Sequence, residues 1–434
     1  MTTSKPIARL RAKIPNSAAM IVVGRIGYTM LALVSAPIVA RALHPEGRGE
    51  TAAAIAAFYI VPILLCLGLP LEVRRLAALG NGYDANRTAR MLALAMLPVS
   101  AAIGWILSTT VFGGLDGNAR TAVWVGIAIA PFTIWWMCDL SILIAERRFV
   151  ATALLELMLQ LVFVPTILAG WLTGVCTVAF VLWANIAGTV ATTVLGALLS
   201  RTRLLGSLSA MGRTIRSSLT FAGSAAAEAA SNRLDLVVAL PLLGAFQTGL
   251  YSAAVTLSTL PMAIAYALGA SFFTDFAESE PAVVQRAQQA GARVSLAVGF
   301  AASTAVAIAS PVAVYVLFGS KFYGAIGPAV VLLFGTSMMI SSQVLNMGLV
   351  ATSRGISMTV VQLIGLTVGV CLLLALGGPF GAWGAAAAAS SSALTVWILL
   401  IRRIGGCWRE YVPAPRDLTT GIKRLLKRVD QPDS

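Results

Sequence analysis

The sequence predicts an all-α polytopic membrane protein with about twelve transmembrane helices in two six-helix bundles. Three observations carry this prediction. Of the 434 residues, 58% are hydrophobic and only 11% are charged, whereas an ordinary soluble domain has about 25% charged residues. Apolar runs of about 20 residues, each long enough to cross a bilayer core of about 30 Å, recur along the whole chain. The basic residues concentrate in alternate connections between these runs.

The apolar runs define the predicted transmembrane spans. In chain order they cover residues 16–40, 50–70, 91–112, 121–145, 149–171, 175–199, 218–241, 249–272, 292–316, 325–350, 355–376 and 381–401. A basic segment with Gly and Ser follows the sixth run and is typical of a linker. We therefore predict an N-terminal bundle over residues 1–205, a C-terminal bundle over 206–405 and a tail over 406–434.

The distribution of basic residues predicts the orientation of the chain. The net charge is +14, and most of the 31 Lys and Arg residues lie in the connections on one side of the predicted membrane. The connections on the other side hold only Arg41, Arg48, Arg120 and Lys321. Under the positive-inside rule both termini lie in the cytoplasm. Because the positive charge serves orientation and headgroup contact, nucleic-acid binding is not expected.

The two halves contain a weak internal repeat. RALHPEGRGETAAAIAAFYIVP in the first half resembles LPLLGAFQTGLYSAAVTLSTLP in the second. Both segments have a Gly-containing loop, an Ala-rich span and a closing proline. Such repeats are typical of transporters with a central site between two related bundles. The alternative is a chance likeness between Ala-, Gly- and Leu-rich helices.

The tail segment GIKRLLKRV alternates apolar and basic residues with helical spacing. Its apolar residues share one face, which predicts a cationic amphipathic helix on the inner leaflet. The alternative is a basic tail without regular structure.

Enzymatic chemistry has no support in the sequence. The chain has no nucleotide-binding, serine-hydrolase or zinc-protease motif. One histidine, His44, and five scattered cysteines exclude a multi-histidine metal site and a disulfide framework. We expect a transporter with no catalytic residues, no metal and no cofactor, coupled to H⁺ or Na⁺ if its transport is uphill.

Four segments resemble one family in register. They are APIVARALHPEGRGETAAA, NRLDLVVALPLLGAFQTGLYSAAVTLSTLP, VLFGSKFYGA and GGPFGAWGAAAAASS. Together they resemble the polysaccharide, or O-antigen, flippases of the multidrug/oligosaccharidyl-lipid/polysaccharide exporter superfamily. The resemblance implies a two-lobed carrier that moves polyprenyl-diphosphate-linked oligosaccharide across the bacterial cytoplasmic membrane for polysaccharide biosynthesis.

This resemblance also implies partners and leaves alternatives open. The implied partners are membrane lipids, the lipid-linked glycan, a glycan polymerase and glycosyltransferases. A peptidoglycan lipid-precursor flippase is a less favoured alternative, since those relatives commonly carry two further spans. A drug or ion antiporter of the same superfamily is another. A membrane glycosyltransferase, polymerase or ligase would need a larger extracytoplasmic loop than any here, and a channel or scaffold is the last alternative.

Arg25 is the first candidate for substrate binding. It is the only charged residue of the first predicted span, and Thr29 lies one turn further on. A diphosphate is best bound by a planar, permanently charged donor group, which arginine provides. We therefore predict that Arg25 and Thr29 contact the substrate. The alternative is a buried ion pair of Arg25 with Glu156 or Glu228.

The seventh predicted span contains several costly polar residues. Ser224, Glu228, Asn232 and Asp235 form one helical stripe, with Arg233 at its flank. A charged residue facing lipid at a helix centre costs about 2.5–3.5 kcal/mol. We predict that Glu228 and Asp235 serve ion coupling and that Asn232 and Arg233 bind substrate. The alternative is that Arg233 and Asp235 only snorkel or form an interhelical pair.

Weaker candidates lie in three other spans. Glu156 shares a helix face with Gln160, and Asp139 lies near the cytoplasmic end of the fourth span. Both acids are candidates for ion coupling. Gln343 and Asn346 share a face of the tenth span; we predict sugar binding, and the alternative is helix–helix association.

Overall fold

In the computed structural model every regular element is helical within the described residues. These are residues 19–203, 207–208, 211–262, 264, 268, 281–351, 355–404, 408–414 and 416–421. The α-helices are α1 Ala19–Leu65, α2 Leu69–Ala78, α3 Gly82–Ala95, α4 Leu97–Thr109, α5 Gly117–Ala128, α6 Ala130–Ala145, α7 Phe149–Leu172, α8 Val178–Ser200, α9 Met211–Leu243, α10 Ala245–Ser258, α11 Pro281–Leu317, α12 Ile326–Ala351 and α13 Gly355–Ile404. Short 3₁₀ helices cover Ser320–Ala325 and Trp408–Tyr411.

Two of these helices contain a sharp kink. At His44 the backbone of α1 turns to φ 59° and ψ −175°. Pro45 follows, and a residue before proline is driven out of the helical region. The backbone of α13 turns at Gly381, with φ 57°, which glycine adopts without a Cβ clash. The kink at His44 lies between two predicted spans, and the one at Gly381 lies at the start of the predicted twelfth span, so α1 and α13 each contain two predicted spans.

The described helices fit a multi-pass membrane protein. Six are long and apolar enough to cross a membrane, or eight when the bent pairs α3–α4 and α5–α6 each count as one span. The qualifying parts of α1 and α13 are 39 and 46 residues long, which is about 60–70 Å of helix and enough for two crossings each. Helix α9 covers the predicted seventh span, and α10 covers the first part of the predicted eighth span, residues 249–258. The predicted all-α polytopic fold class is confirmed.

The chain forms two compact units. Unit 1 contains Met1–Ser35 and Val61–Ala225, and unit 2 contains Ala36–Ile60 and Ala226–Ser434. The predicted first bundle ends at residue 205 and includes the whole of α1, and the division into two six-helix bundles stays a prediction. The segment 36–60 groups with unit 2 because its backbone packs directly on α10. A Cβ atom on Gly49 would overlap the Ala245 carbonyl oxygen.

Each unit has its own core of small and medium apolar side chains. In unit 1, Cys66, Val73, Ala89, Ile134 and Cys138 belong to one buried cluster. A larger cluster in unit 2 joins alanines of α1, α10 and α13, and its larger members include Tyr251, Phe318 and Phe322. Because apolar side chains gain little from leaving lipid, close approach of small residues supplies much of the packing energy between such helices.

Candidate functional site

The first candidate region lies in unit 1, where α1 crosses α7. A Cβ atom on Gly24 would lie 2.8 Å from Ala153 Cα, and one on Gly27 would lie 3.0 Å from a Leu157 methyl group. The two helices therefore touch at the turn of α7 that carries Glu156. The helical backbone places Arg25 between these two glycines, and its side chain lies outside the described residues.

Polar groups of α2 and α7 surround this crossing. Glu156 is half-buried, and its carboxylate interacts electrostatically with Arg74 of α2. Desolvation lowers the pKa of Arg74, and the Glu156 carboxylate acts against this shift. One turn along α7, Gln160 is buried, and its Oε1 has no hydrogen-bond partner among the described residues. Thr29 is exposed and has an interaction partner of its own.

Asp139 lies in a separate, densely paired network of unit 1. Its side chain is fully buried, and Oδ1 accepts hydrogen bonds from Arg90 Nη2 at 2.5 Å and from Asn86 Nδ2 at 2.8 Å. Arg90 also donates to the Ser200 hydroxyl and the Thr202 carbonyl oxygen. The Arg90 guanidinium lies 4.8 Å from the Trp135 ring centre. The charge of Asp139 is therefore neutralised within unit 1.

A third cluster of unit 1 joins α2 to the beginning of α9. Glu72 has a 1% exposed side chain and accepts hydrogen bonds from Arg75 at 2.7 and 2.8 Å and from the Ser217 hydroxyl at 2.6 Å. These groups line a cavity of about 280 Å³ together with Asp84 and Arg213. Hydrogen bonds from Arg75 hold the pKa of Glu72 below its ordinary value of 4.5, although burial opposes the shift.

The hydrogen bonds of Glu72 make the stability of the folded protein depend on pH. Since the pKa of Glu72 is depressed in the folded state, its contribution is fully present above about pH 4.5 and is lost as the pH falls through the folded-state pKa. We expect Glu72→Gln to unfold at a lower temperature than wild type at pH 7, with the difference shrinking below pH 4.5. Thermal unfolding across this pH range measures it, and a difference that grows on acidification would contradict it.

The candidate region of unit 2 centres on Asp235 of α9. The Tyr251 hydroxyl of α10, itself fully buried, donates a hydrogen bond to Asp235 Oδ2. Asp235 Oδ1 is buried and has no hydrogen-bond partner among the described residues. Arg233 lies two residues earlier, is exposed and interacts electrostatically with Asp235.

Arg48 brings a second guanidinium into this region. It lies in the α1 segment of unit 2 and donates from Nη2 to the Thr256 hydroxyl at 3.2 Å. Its Nε is buried without a hydrogen-bond partner among the described residues. Arg233 lies close enough to repel the Arg48 charge. From the sequence, Arg48 is predicted only as an orienting charge, because its neighbours are more than 180 residues away in the chain.

The remaining predicted site residues lie on α12 or have side chains outside the described residues. Gln343 is half-buried and Asn346 is 5% exposed, with no hydrogen-bond partner for Asn346 Oδ1 among the described residues. Both lie on α12, near the buried cluster of Leu268, Val298 and Val344. The side chains of Glu228 and Asn232 lie outside the described residues. Their predicted roles, like that of Arg25, stay predictions.

Similar folds occur among known transporter structures. The lipid II flippase MurJ in an inward closed conformation superposes with a TM-score of 0.69 at 11% identity, over 96% of this chain and 94% of that one. This chain has the fold of the MOP-superfamily transporters. An inward-facing multidrug resistance MATE transporter of that superfamily gives a TM-score of 0.67 at 13% identity, over 95% of this chain and 100% of that one. A MOP-superfamily transporter from Pyrococcus furiosus gives 0.57 at 12% identity, over 96% of each chain.

At these identities the likeness establishes the fold alone. No protein-family model matches the chain, and no curated protein sequence matches it.

Proposed function

We propose that this chain is a flippase that moves polyprenyl-diphosphate-linked oligosaccharide across the bacterial cytoplasmic membrane by alternating access. The observation that supports this most directly is the cationic character of its candidate regions. Arg25 and Arg233 lie within predicted spans, and Arg48 and Arg74 lie beside them. Arginine stays charged at every physiological pH and offers paired donors that match phosphate oxygens.

The acidic side chains of these regions offset that character only in part. Asp139 is neutralised by Arg90, and the carboxylates of Asp235 and Glu156 interact electrostatically with Arg233 and Arg74. A cationic drug would be repelled by the remaining guanidinium groups, whereas a lipid diphosphate would be attracted. The fold itself does not discriminate between drug transport and lipid flipping, because similar structures include multidrug transporters and a lipid II flippase. A drug or ion antiporter therefore remains the second proposal, supported by the fold.

Ion coupling is part of the proposal. Glu228, Asp235 and Glu156 are the carboxylates proposed to bind H⁺ or Na⁺, with Asp139 the least suited of the predicted four because its charge is already paired. A membrane potential of 100 mV supplies about 2.3 kcal/mol for each charge moved. We also propose that both termini are cytoplasmic and that a glycan polymerase and glycosyltransferases act on the same lipid-linked glycan.

The proposed function is tested by depletion in the native host. Loss of the protein should lead to accumulation of lipid-linked oligosaccharide that faces the cytoplasm and remains inaccessible to an external glycosidase. Re-expression of the wild-type chain should restore its exposure at the outer surface. Unchanged surface glycan together with accumulation of a cationic dye in depleted cells would favour the drug antiporter instead.

Arg25 gives the sharpest single-residue test of this function. We expect Arg25→Ala to reduce glycan export at least about tenfold, because one charge-assisted hydrogen bond to phosphate is worth about 1.5–3 kcal/mol. Arg25→Lys should retain partial export, since lysine keeps the charge but lacks the planar donor group. Export is measured as surface glycan normalised to folded protein in the membrane. Full export by Arg25→Ala would remove Arg25 from the substrate site.

A further inference from the structure

A groove of about 240 Å³ lies between α6 and α8 of unit 1. Side chains of both helices form its walls, and they are Phe132, Trp135, Val190, Thr193, Val194 and Ala197. Thr193 carries the one hydroxyl among them, and that hydroxyl donates to the Phe132 carbonyl oxygen at 3.0 Å and to that of Thr189 at 2.9 Å. Because this polar group is already satisfied by the backbone, the groove suits an apolar ligand.

Helix α8 has the polarity pattern of a helix that faces lipid. Its polar side chains are buried, among them Asn185, Thr189 and Thr192. Every exposed side chain of α8 is apolar, and these side chains are Trp183, Ala187, Val190, Val194 and Leu198. A helix that faces water shows the reverse pattern. The open side of the groove therefore adjoins membrane hydrocarbon, where an acyl chain is the apolar ligand at hand.

The groove has the depth of one membrane leaflet and lies next to the basic end of α8. Ala197 precedes Arg201 by four residues, which is about 6 Å along a helix axis. Val190 lies ten residues before Ser200, or about 15 Å deeper. Half of a bilayer core is also about 15 Å thick, so the groove matches the length of the acyl chains in one leaflet. The positive-inside rule predicts that this is the cytoplasmic leaflet.

Two basic side chains at this end of α8 are left without an acid. Three other arginines donate to the carbonyl oxygens of residues 199, 202 and 203, and each of the three is paired with an acid, namely Arg148 with Glu146, Arg90 with Asp139 and Arg87 with Asp84. Arg201 and Arg203 are exposed and form no ion pair with a carboxylate within 4.0 Å in the part of the chain that the structure describes. They can therefore attract a negative headgroup.

We infer that the groove between α6 and α8 binds an acyl chain of an anionic phospholipid, with the lipid phosphate at Arg201 and Arg203. The groove supplies apolar contact, and the two basic residues select the charge of the headgroup. Trp135 lines the groove and also contacts Arg90, whose guanidinium lies 4.8 Å from the ring centre. A bound chain would thus pack against the residue that borders the buried ion pair of Asp139. The inference goes beyond the proposed function and does not depend on which substrate is carried.

Native mass spectrometry of the purified full-length chain tests the site. The delipidated protein in detergent is titrated with phosphatidylglycerol or with phosphatidylcholine that has the same acyl chains. We expect the first phosphatidylglycerol to bind at least about tenfold more tightly than the first phosphatidylcholine. The double variant Arg201→Gln/Arg203→Gln should lose this preference and bind the two lipids equally, because its headgroup contacts are no longer charged.

Ala197→Phe and Ala187→Phe form a matched pair of variants. Both place the same ring on α8, but Ala197 lines the groove, whereas Ala187 is exposed outside it. Ala197→Phe should weaken phosphatidylglycerol binding at least about tenfold, because its ring takes the space of several CH₂ groups of the acyl chain. Ala187→Phe should bind this lipid like wild type. Without lipid, Ala197→Phe should unfold at the wild-type temperature or above, since the ring adds apolar contact within the groove.

Four results would each overturn the inference. They are equal affinity of wild type for the two lipids, unchanged lipid preference in Arg201→Gln/Arg203→Gln, unchanged phosphatidylglycerol binding in Ala197→Phe, and equal losses of binding in Ala197→Phe and Ala187→Phe. Displacement of phosphatidylglycerol by a tenfold lower concentration of polyprenyl phosphate would also overturn it, because the groove would then belong to the tail of a polyprenyl lipid.

Discussion

Asp139→Asn should destabilise the protein by about 3–5 kcal/mol, the usual cost of removing one partner from a buried ion pair. The side chains of Asp139 and Arg90 are 0% and 3% exposed, and their closest N–O distance is 2.5 Å. With asparagine at position 139, the Arg90 charge would remain buried without an opposite charge, and its partners would be neutral acceptors such as Ser200 and the Thr202 carbonyl, with the Trp135 ring beside them. Unfolding in detergent, by heat or denaturant, measures the loss.

A neighbouring ion pair of the same unit provides the control. Asp84 and Arg87 lie 3.0 Å apart, but the Asp84 side chain is 44% exposed. We expect Asp84→Asn to cost at most about 1 kcal/mol, since exposed pairs contribute little. The double variant Asp139→Leu/Arg90→Met should recover much of the stability lost by Asp139→Asn, because no unpaired charge remains. Equal stability of Asp139→Asn and Asp84→Asn would contradict the structural role of the pair.

The same variant separates structure from ion coupling. If Asp139 bound the coupling ion, Asp139→Asn would unfold like wild type and would lose the dependence of transport on H⁺ or Na⁺. The geometry leads us to expect the opposite result. A carboxylate that already accepts from Arg90 and Asn86 has little to gain by binding a further cation, because the guanidinium would repel it.

The fold class was predictable because it depends on the composition of long segments. A run of about 20 apolar residues has few stable alternatives to a membrane-spanning helix. The turn at His44–Pro45 lies in a predicted connection between spans, and the one at Gly381 lies at the first residue of the predicted twelfth span. Such features are local, so each could be predicted from residues that are adjacent in the chain.

The partners of the polar residues could not be predicted in the same way. Arg90 and Asp139 lie 49 residues apart, and no sequence pattern connects them. Arg48 and Thr256 lie 208 residues apart. Which side chains meet depends on the rotation and depth of each helix, and an Ala-, Gly- and Leu-rich sequence constrains these weakly. The Gly-containing segments around residues 49 and 249 were visible in the sequence as a repeat, but not as a contact.

The contact between α1 and α10 at these two glycines supplies the second large effect, and we expect Gly249→Ala to destabilise the protein by about 1–3 kcal/mol. A Cβ atom on Gly249 would overlap the Pro45 carbonyl oxygen, and one on Gly49 would overlap that of Ala245. Both obstacles are backbone atoms, so no side-chain rotation can relieve them. The turn of α1 must then move away from α10.

A single movement of the α1 turn away from α10 should relieve both overlaps. The effects of Gly49→Ala and Gly249→Ala on stability should therefore be strongly non-additive, and the double variant should lose less stability than the sum of the two single losses. Gly378→Ala in α13 of the same unit is the control, since a Cβ atom there would meet nothing within 4 Å. A Gly249→Ala protein that unfolds like Gly378→Ala would show that residues 36–60 do not depend on this backbone contact for their place in unit 2.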